Sequence, residues 1–143
     1  LHNLYNDHDI AVFRVPITSS AWFRSSLRAW TSGTTIVLLP RAASSTEILD
    51  AITKYKATAV LGNSVIMLEL AKKIQEKCIR LDSVKKVFLG GTSATHQTLR
   101  EIEQSFDLAI IRSVYGSTET GEICAPPMSA SNWYGIGFPA PMV

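Results

Sequence analysis

The chain has 143 residues, enough for one domain around one hydrophobic core. Hydrophobic residues make up 46% and charged residues 18%, which excludes a disordered chain, and no apolar run reaches the roughly 18–20 residues of a membrane-spanning helix. A formal net charge of +2, with Lys and Arg scattered along the sequence, leaves no footprint for nucleic acid or an anionic membrane surface.

Residues 1–13, LHNLYNDHDIAVF, begin with Leu, lack the basic-then-apolar pattern of a targeting signal and suggest no element of their own. The segment TSSAWFRSSLRAWTSG (18–33) predicts one helix, stopped by Gly33, with Trp22, Phe23 and Trp30 as core residues. Arg24 and Arg28, four apart on it, read as a solvated face rather than an anion clamp. TTIVLLP (34–40) is β-branched and ends at Pro40, as a buried strand does. In SSTEILDAITKYKA (44–57), Ser44 and Glu47 have capping-box spacing, and Ile48, Ile52 and Tyr55 fall on one helical face. ATAVLG (57–62) predicts a second strand. Asn63 can cap the next helix, whose stripe is Met67, Leu70, Ala71, Ile74 and Cys78.

KKVFLGG (85–91) predicts a third strand, Leu99, Ile102 and Phe106 mark a helix, and LAIIRSV (108–114) predicts a fourth strand. Strands alternating with helices specify an α/β fold, a mostly parallel sheet with crossover helices. Because the strands are near-continuous apolar runs, helices are expected on both faces. Ligands of such sheets bind beyond the carboxyl ends of the strands, where two loops here are unusual: LGGTSA after the third strand and YGSTETG after the fourth. If those strands are neighbours, both loops face one crevice.

Gly90 and Gly91 allow positive φ and close approach to a flat ligand, although a tight turn capped by Thr92, Ser93 or Thr95 uses them equally well. Tyr115-Gly116-Ser117-Thr118-Glu119 is more specific. It offers a ring for stacking, a sharp turn, a hydroxyl donor for a phosphate oxygen and one carboxylate for a hard cation such as Mg²⁺. The alternative is a strand-exit turn with a solvated Glu119, but neither Ser117 nor Thr118 has an acid or amide three residues on, and GEICAPP (121–127) reads as extended. His2, His8 and His96 are scattered, Cys78 and Cys124 have no metal-ligand spacing, and neither a nucleophilic triad nor a Walker-type loop is present. Cys78 and Cys124 suit a reducing compartment with free thiols, with one disulfide as the alternative, and the chain is expected to be intracellular, cytoplasmic or peroxisomal.

VFLGGTSATHQTLREIEQSFDLAIIRSVYGSTETG (87–121) resembles the adenylate-forming superfamily of acyl-CoA synthetases, 4-coumarate-type ligases, luciferases and peptide-synthetase adenylation domains. Its Tyr-Gly-x-Thr-Glu motif is intact at 115–119, residues 33–71 are similar to the family's strand-helix-strand stretch, and GIGFPAP (135–141) looks like its Gly-x-Pro segment. The resemblance implies that Thr118 contacts the α-phosphate of ATP and of the acyl-adenylate, and that Glu119 binds Mg²⁺. Tyr115 would pack on adenine, Gly90, Gly91 and Thr92 would line the adenine and acyl cleft, Ser113, Val114, Tyr115 and Gly116 would form one wall, and Ser117 would also take part in binding the nucleotide. Residues 18–23, including Ser19, Ser20, Trp22 and Phe23, would border the acyl pocket and thiol tunnel.

The implied reaction joins a carboxylic acid, fatty or aryl, to AMP and then to coenzyme A. Departures are Ser19 where the family has a histidine or aromatic residue, and LGGTSA without the usual Ala-Pro. Residues 1–143 are expected to be an internal piece of the family's N-terminal AMP-binding domain. They lack its Lys-containing phosphate loop, its ribose-binding Asp, and the C-terminal domain with the catalytic Lys. A non-catalytic, nucleotide-binding relative is the alternative, separable by the sequence upstream of Leu1.

Overall fold

The computed structural model describes residues 4–14, 18–125 and 138–139. At its centre lies a five-stranded parallel sheet of β1 (Ile10–Phe13), β2 (Thr35–Leu38), β3 (Ala59–Gly62), β4 (Lys86–Leu89) and β5 (Ile110–Ser113), in the order β2-β1-β3-β4-β5. Helices α1 (Ser20–Thr31), α2 (Ser45–Tyr55), α3 (Ser64–Glu76) and α4 (His96–Ser105) join them. Beyond β5 the chain forms an antiparallel sheet of β6 (Tyr115–Ser117), β7 (Gly121–Ala125) and β8 (Phe138–Pro139). The predicted α/β architecture is the one observed. Apart from Phe138 and Pro139, the GIGFPAP segment lies outside the described residues.

Side chains alternate across the strands and so divide the core in two. Val12, Val60 and Val87 join Ile48, Ile52, Met67, Leu70 and Ile102 beneath α2, α3 and α4. Phe13, Ala59 and Phe88 face the other way, where Tyr5, Trp22 and Ala29 cover them. Each fully buried large side chain contributes about 1.5–3 kcal/mol relative to exposure. Helices therefore lie on both faces.

Local capping places the helices. Ser44 and Glu47 form the reciprocal capping box at α2, Asn63 Oδ1 accepts the Ile66 N–H at 3.0 Å, and Thr95 Oγ1 accepts the Thr98 N–H at 3.1 Å. Gly33, at φ 75°, follows the last residues of α1 as its stop.

Three expectations need correction. The strand β1, in the interior of the sheet, comes from the segment read as uninformative: only four residues long, it is held by partners on both sides. Tyr55 closes α2 half-exposed with Lys54 Nζ 5.0 Å above its ring, and Cys78 lies past the end of α3 at φ 50°, exposed and off the stripe. Phe23 and Trp30 are 56% and 55% exposed, so of the three aromatics on α1 only Trp22 belongs to the core.

At the amino ends of the strands, the buried Asp9 accepts hydrogen bonds from the Asn6 N–H (2.8 Å), from Thr58 Oγ1 (2.7 Å) and from Lys86 Nζ. Thr58 in turn accepts the Ile10 N–H at 3.1 Å. One carboxylate thus ties together the starts of β1, β3 and β4.

Candidate active site

β4 and β5 are parallel neighbours, with Leu89 opposite Ser113 and the Val114 N–H donating to Leu89 O at 2.8 Å. The two unusual loops therefore leave the sheet side by side. After β4 the chain turns through Gly90 and Gly91; Gly91 has φ +80° and open space where a Cβ would lie, so its glycine serves backbone conformation rather than packing. Thr92 does not reach the crevice. Its hydroxyl accepts the Ser64 N–H at 3.2 Å and meets Ser64 Oγ at 2.8 Å, which locks the loop to the start of α3.

After β5 the chain runs into the β6–β7 hairpin. Strand β6 passes so close to β7 that a Cβ on Gly116 would stand 1.9 Å from Gly121 O. Within the turn, Ser117 and Thr120 exchange hydrogen bonds, their hydroxyls 3.0 Å apart. This turn brings Thr118 to the amino end of α1, where Ser20 Oγ donates to Thr118 Oγ1 at 3.1 Å. Ser19, the N-cap of α1, accepts the Trp22 N–H at 3.0 Å.

The three segments enclose a cavity of about 400 Å³. Gly90 and Gly91 line it from β4, Val114, Gly116, Ser117 and Thr118 from the hairpin, and Ser19 and Ser20 from α1. Ser113, Tyr115, Trp22 and Phe23 are not part of the lining: Ser113 stays in the β5 ladder, Tyr115 is 55% exposed on β6, Trp22 packs edge-on against Trp30 at 5.8 Å, and Phe23 points outward. Glu119 sits exposed at the hairpin tip, next to the lining rather than in it. Its own backbone N–H first, then the Ser117 hydroxyl, hold its carboxyl below the usual range.

A magnesium ion keeps waters and phosphate oxygens and asks for one or two carboxylates. Among the described residues no group of three or more His, Cys, Asp or Glu converges, so an all-protein cage is absent there, while an ionised Glu119 beside the Thr118 hydroxyl fits a metal carried by phosphates.

The sequence reading missed several contributors. Tyr5 and Phe88 supply an apolar wall. Arg24 and Arg28, although exposed as read, also line the cavity, in a row with Ser20 at i, i+4 and i+8. That row was the available signal. Arg28 Nη1 lies 2.7 Å from Glu122 Oε2, and Glu122 Oε1 accepts from Arg112 Nη2 at 3.2 Å. Burial first, and then Arg28, lower the Arg112 pKa against the opposing pull of Glu122.

The architecture is thus a parallel α/β sheet in which two glycine-bearing loops border one cavity beyond the strand ends. The AMP-binding enzyme family matches residues 3–143, and the chain belongs to it. Among solved structures, the chain is similar to the ATP-bound RpMatB–BxBclM chimera (TM-score 0.81, 18% identity, 95% of this chain and 27% of that one). It is also similar to a variant of the amide bond synthetase McbA from Marinactinospora thermotolerans (0.79, 20%, 93% and 27%). A third is the luciferase-like enzyme of the nonluminescent mealworm Zophobas morio (0.73, 22%, 85% and 28%). The chain thus spans under a third of each of these structures, and at such identities the likeness is one of fold. No curated protein matches it.

Proposed function

We propose that the cavity is the carboxylate-activating site of an AMP-forming acyl-CoA synthetase. The supporting observation is the Ser20–Thr118 hydroxyl pair, which closes the cavity that Gly90 and Gly91 border. A carboxylate oxygen of the acid attacks the α-phosphorus of ATP, the bond to the bridging oxygen breaks, and pyrophosphate leaves. The coenzyme A sulfur then attacks the acyl carbon, the bond from that carbon to the bridging anhydride oxygen breaks, AMP departs with that oxygen, and the thiol proton passes to solvent.

In this reading Thr118 donates its hydroxyl to an α-phosphate oxygen, and Ser20 fixes its rotamer. Gly90 and Gly91 let adenine approach the backbone, and Tyr115, outside the lining and exposed on β6, would stack only on a base that extends past the edge of the cavity. Glu119 would hold Mg²⁺, which when bound neutralises charge on the phosphate oxygens. Thr118 donates where negative charge grows during attack, the position at which a fixed donor acts most strongly. Phe88 and Leu61 surround the acyl group with apolar surface.

ATP–pyrophosphate exchange by the full-length protein tests this reading. Glu119→Gln is expected to lower carboxylate-dependent exchange by about a hundredfold, with the deficit widening at limiting Mg²⁺. Exchange that stays unchanged at limiting Mg²⁺ removes Glu119 from the metal role. The position of Glu119 outside the lining favours a second reading, a nucleotide-binding relative without turnover, for which ATP binds but no carboxylate supports exchange.

A further inference from the structure

Helix α1 presents three different faces. Trp22, Ser26 and Ala29 are buried, Phe23, Leu27 and Trp30 point outward, and Ser20, Arg24 and Arg28 run along the cavity. At about 1.5 Å rise per residue, four residues advance about 6 Å. The third row therefore places a hydroxyl at the Thr118 end, a guanidinium one turn further along and a second guanidinium beyond it.

The two arginines are not equivalent. Arg28 is matched by Glu122, which is itself shared with Arg112, so two guanidiniums flank that carboxylate. Arg24 has neither an ion pair nor a hydrogen bond among the described residues. Its Nη1 occupies the space of a side chain at position 121, 1.6 Å from where a Cβ on Gly121 would stand, so it lies against the hairpin turn that carries Thr118.

Tyr5, only 2% exposed and also lining the cavity, has no hydrogen bond for its hydroxyl among the described residues, and burial raises its pKa so that it stays a neutral donor. An apolar acyl tail would pass these donors without matching either, which is unfavourable for the buried Tyr5 hydroxyl, whereas the exposed Arg24 keeps its water. A second anion would satisfy them.

We propose that this protein activates a short dicarboxylic acid: one carboxylate is presented to ATP at Thr118, while the other is gripped by the Arg24 fork with help from the Tyr5 hydroxyl. This inference rests on the cavity being the acyl site proposed above. It adds the substrate class and a residue that determines specificity.

The test is ATP–pyrophosphate exchange by the full-length protein with matched acids: butyrate against succinate, pentanoate against glutarate, hexanoate against adipate. The dicarboxylate of at least one pair is expected to have a kcat/KM about tenfold or more above its monocarboxylate. Arg24→Gln should shrink that ratio about tenfold, mainly through the KM of the acid, and Arg24→Lys should restore part of it. Preference for every monocarboxylate, with Arg24→Gln altering both acids alike, overturns the proposal while leaving adenylation intact. A raised KM for ATP or coenzyme A in Arg24→Gln, independent of the acid, assigns the guanidinium to a phosphate instead and also overturns it. Exchange with none of the six acids, when longer or aromatic monocarboxylates do support it, refutes the dicarboxylate alone. Silence with every acid refutes the underlying adenylation reading.

Discussion

A methyl group at position 116 has no room: it would stand 1.9 Å from Gly121 O and 3.0 Å from Glu122 Cα, both backbone atoms that cannot rotate away. Gly116→Ala must therefore open the β6–β7 hairpin and draw Thr118 away from Ser20. Exchange activity is expected to fall by at least about tenfold. The melting temperature should move little, because the hairpin lies outside the five-stranded sheet. A variant with full activity would detach the hairpin geometry from the chemistry, and calorimetry run beside the exchange assay separates this from unfolding. The glycine and the hydroxyls of this stretch were legible because a strand exit with such groups has few uses. Arg24 was not, because an i, i+4 pair of arginines looks the same on a solvated face as beside a cavity; only the neighbouring hairpin distinguishes the two.

Elements whose signals are local could be read, and elements defined by distant partners could not. Ser44 with Glu47, and Asn63, announce α2 and α3 within one turn of sequence, and both helices start where those residues place them. β1 carries no such mark. Four apolar residues after Asn-Asp-His-Asp become a strand because β2 and β3 accept them on either side. Helix α1 is an intermediate case: its extent was readable, but three rows at helical spacing compete for the core, and the aromatic content misassigned Phe23 and Trp30. The capping reading can be measured at the level of the element. Ser44→Ala removes the acceptor of the Glu47 N–H and should lower stability in urea by about 1 kcal/mol. Ser44→Asp, which retains an acceptor, should recover most of it. Equal loss in both variants would mean that the serine acts through something other than its cap.

The sheet brings the site together by holding β4 and β5 in register, and at the opposite ends of the strands that register depends on Asp9. Burial raises the pKa of its carboxyl, but the Lys86 and Thr58 hydrogen bonds, the Asn6 N–H and the Lys86 charge outweigh burial and leave it below the ordinary Asp value. A lowered folded-state pKa stabilises the fold above the unfolded value of about 3.9, and this contribution is lost as pH falls through the lower folded value. Asp9→Asn keeps the size of the side chain but leaves Lys86 without its anion, so it should destabilise the protein by about 3 kcal/mol near neutral pH. The gap between the two proteins should then hold from pH 6 to about pH 4 and close only as urea unfolding is carried below that, through the lowered folded-state value, because the wild type alone has this carboxylate to protonate. A gap that stays constant there too would show that Asp9 acts through shape rather than charge, and that the strand ends are held by packing alone.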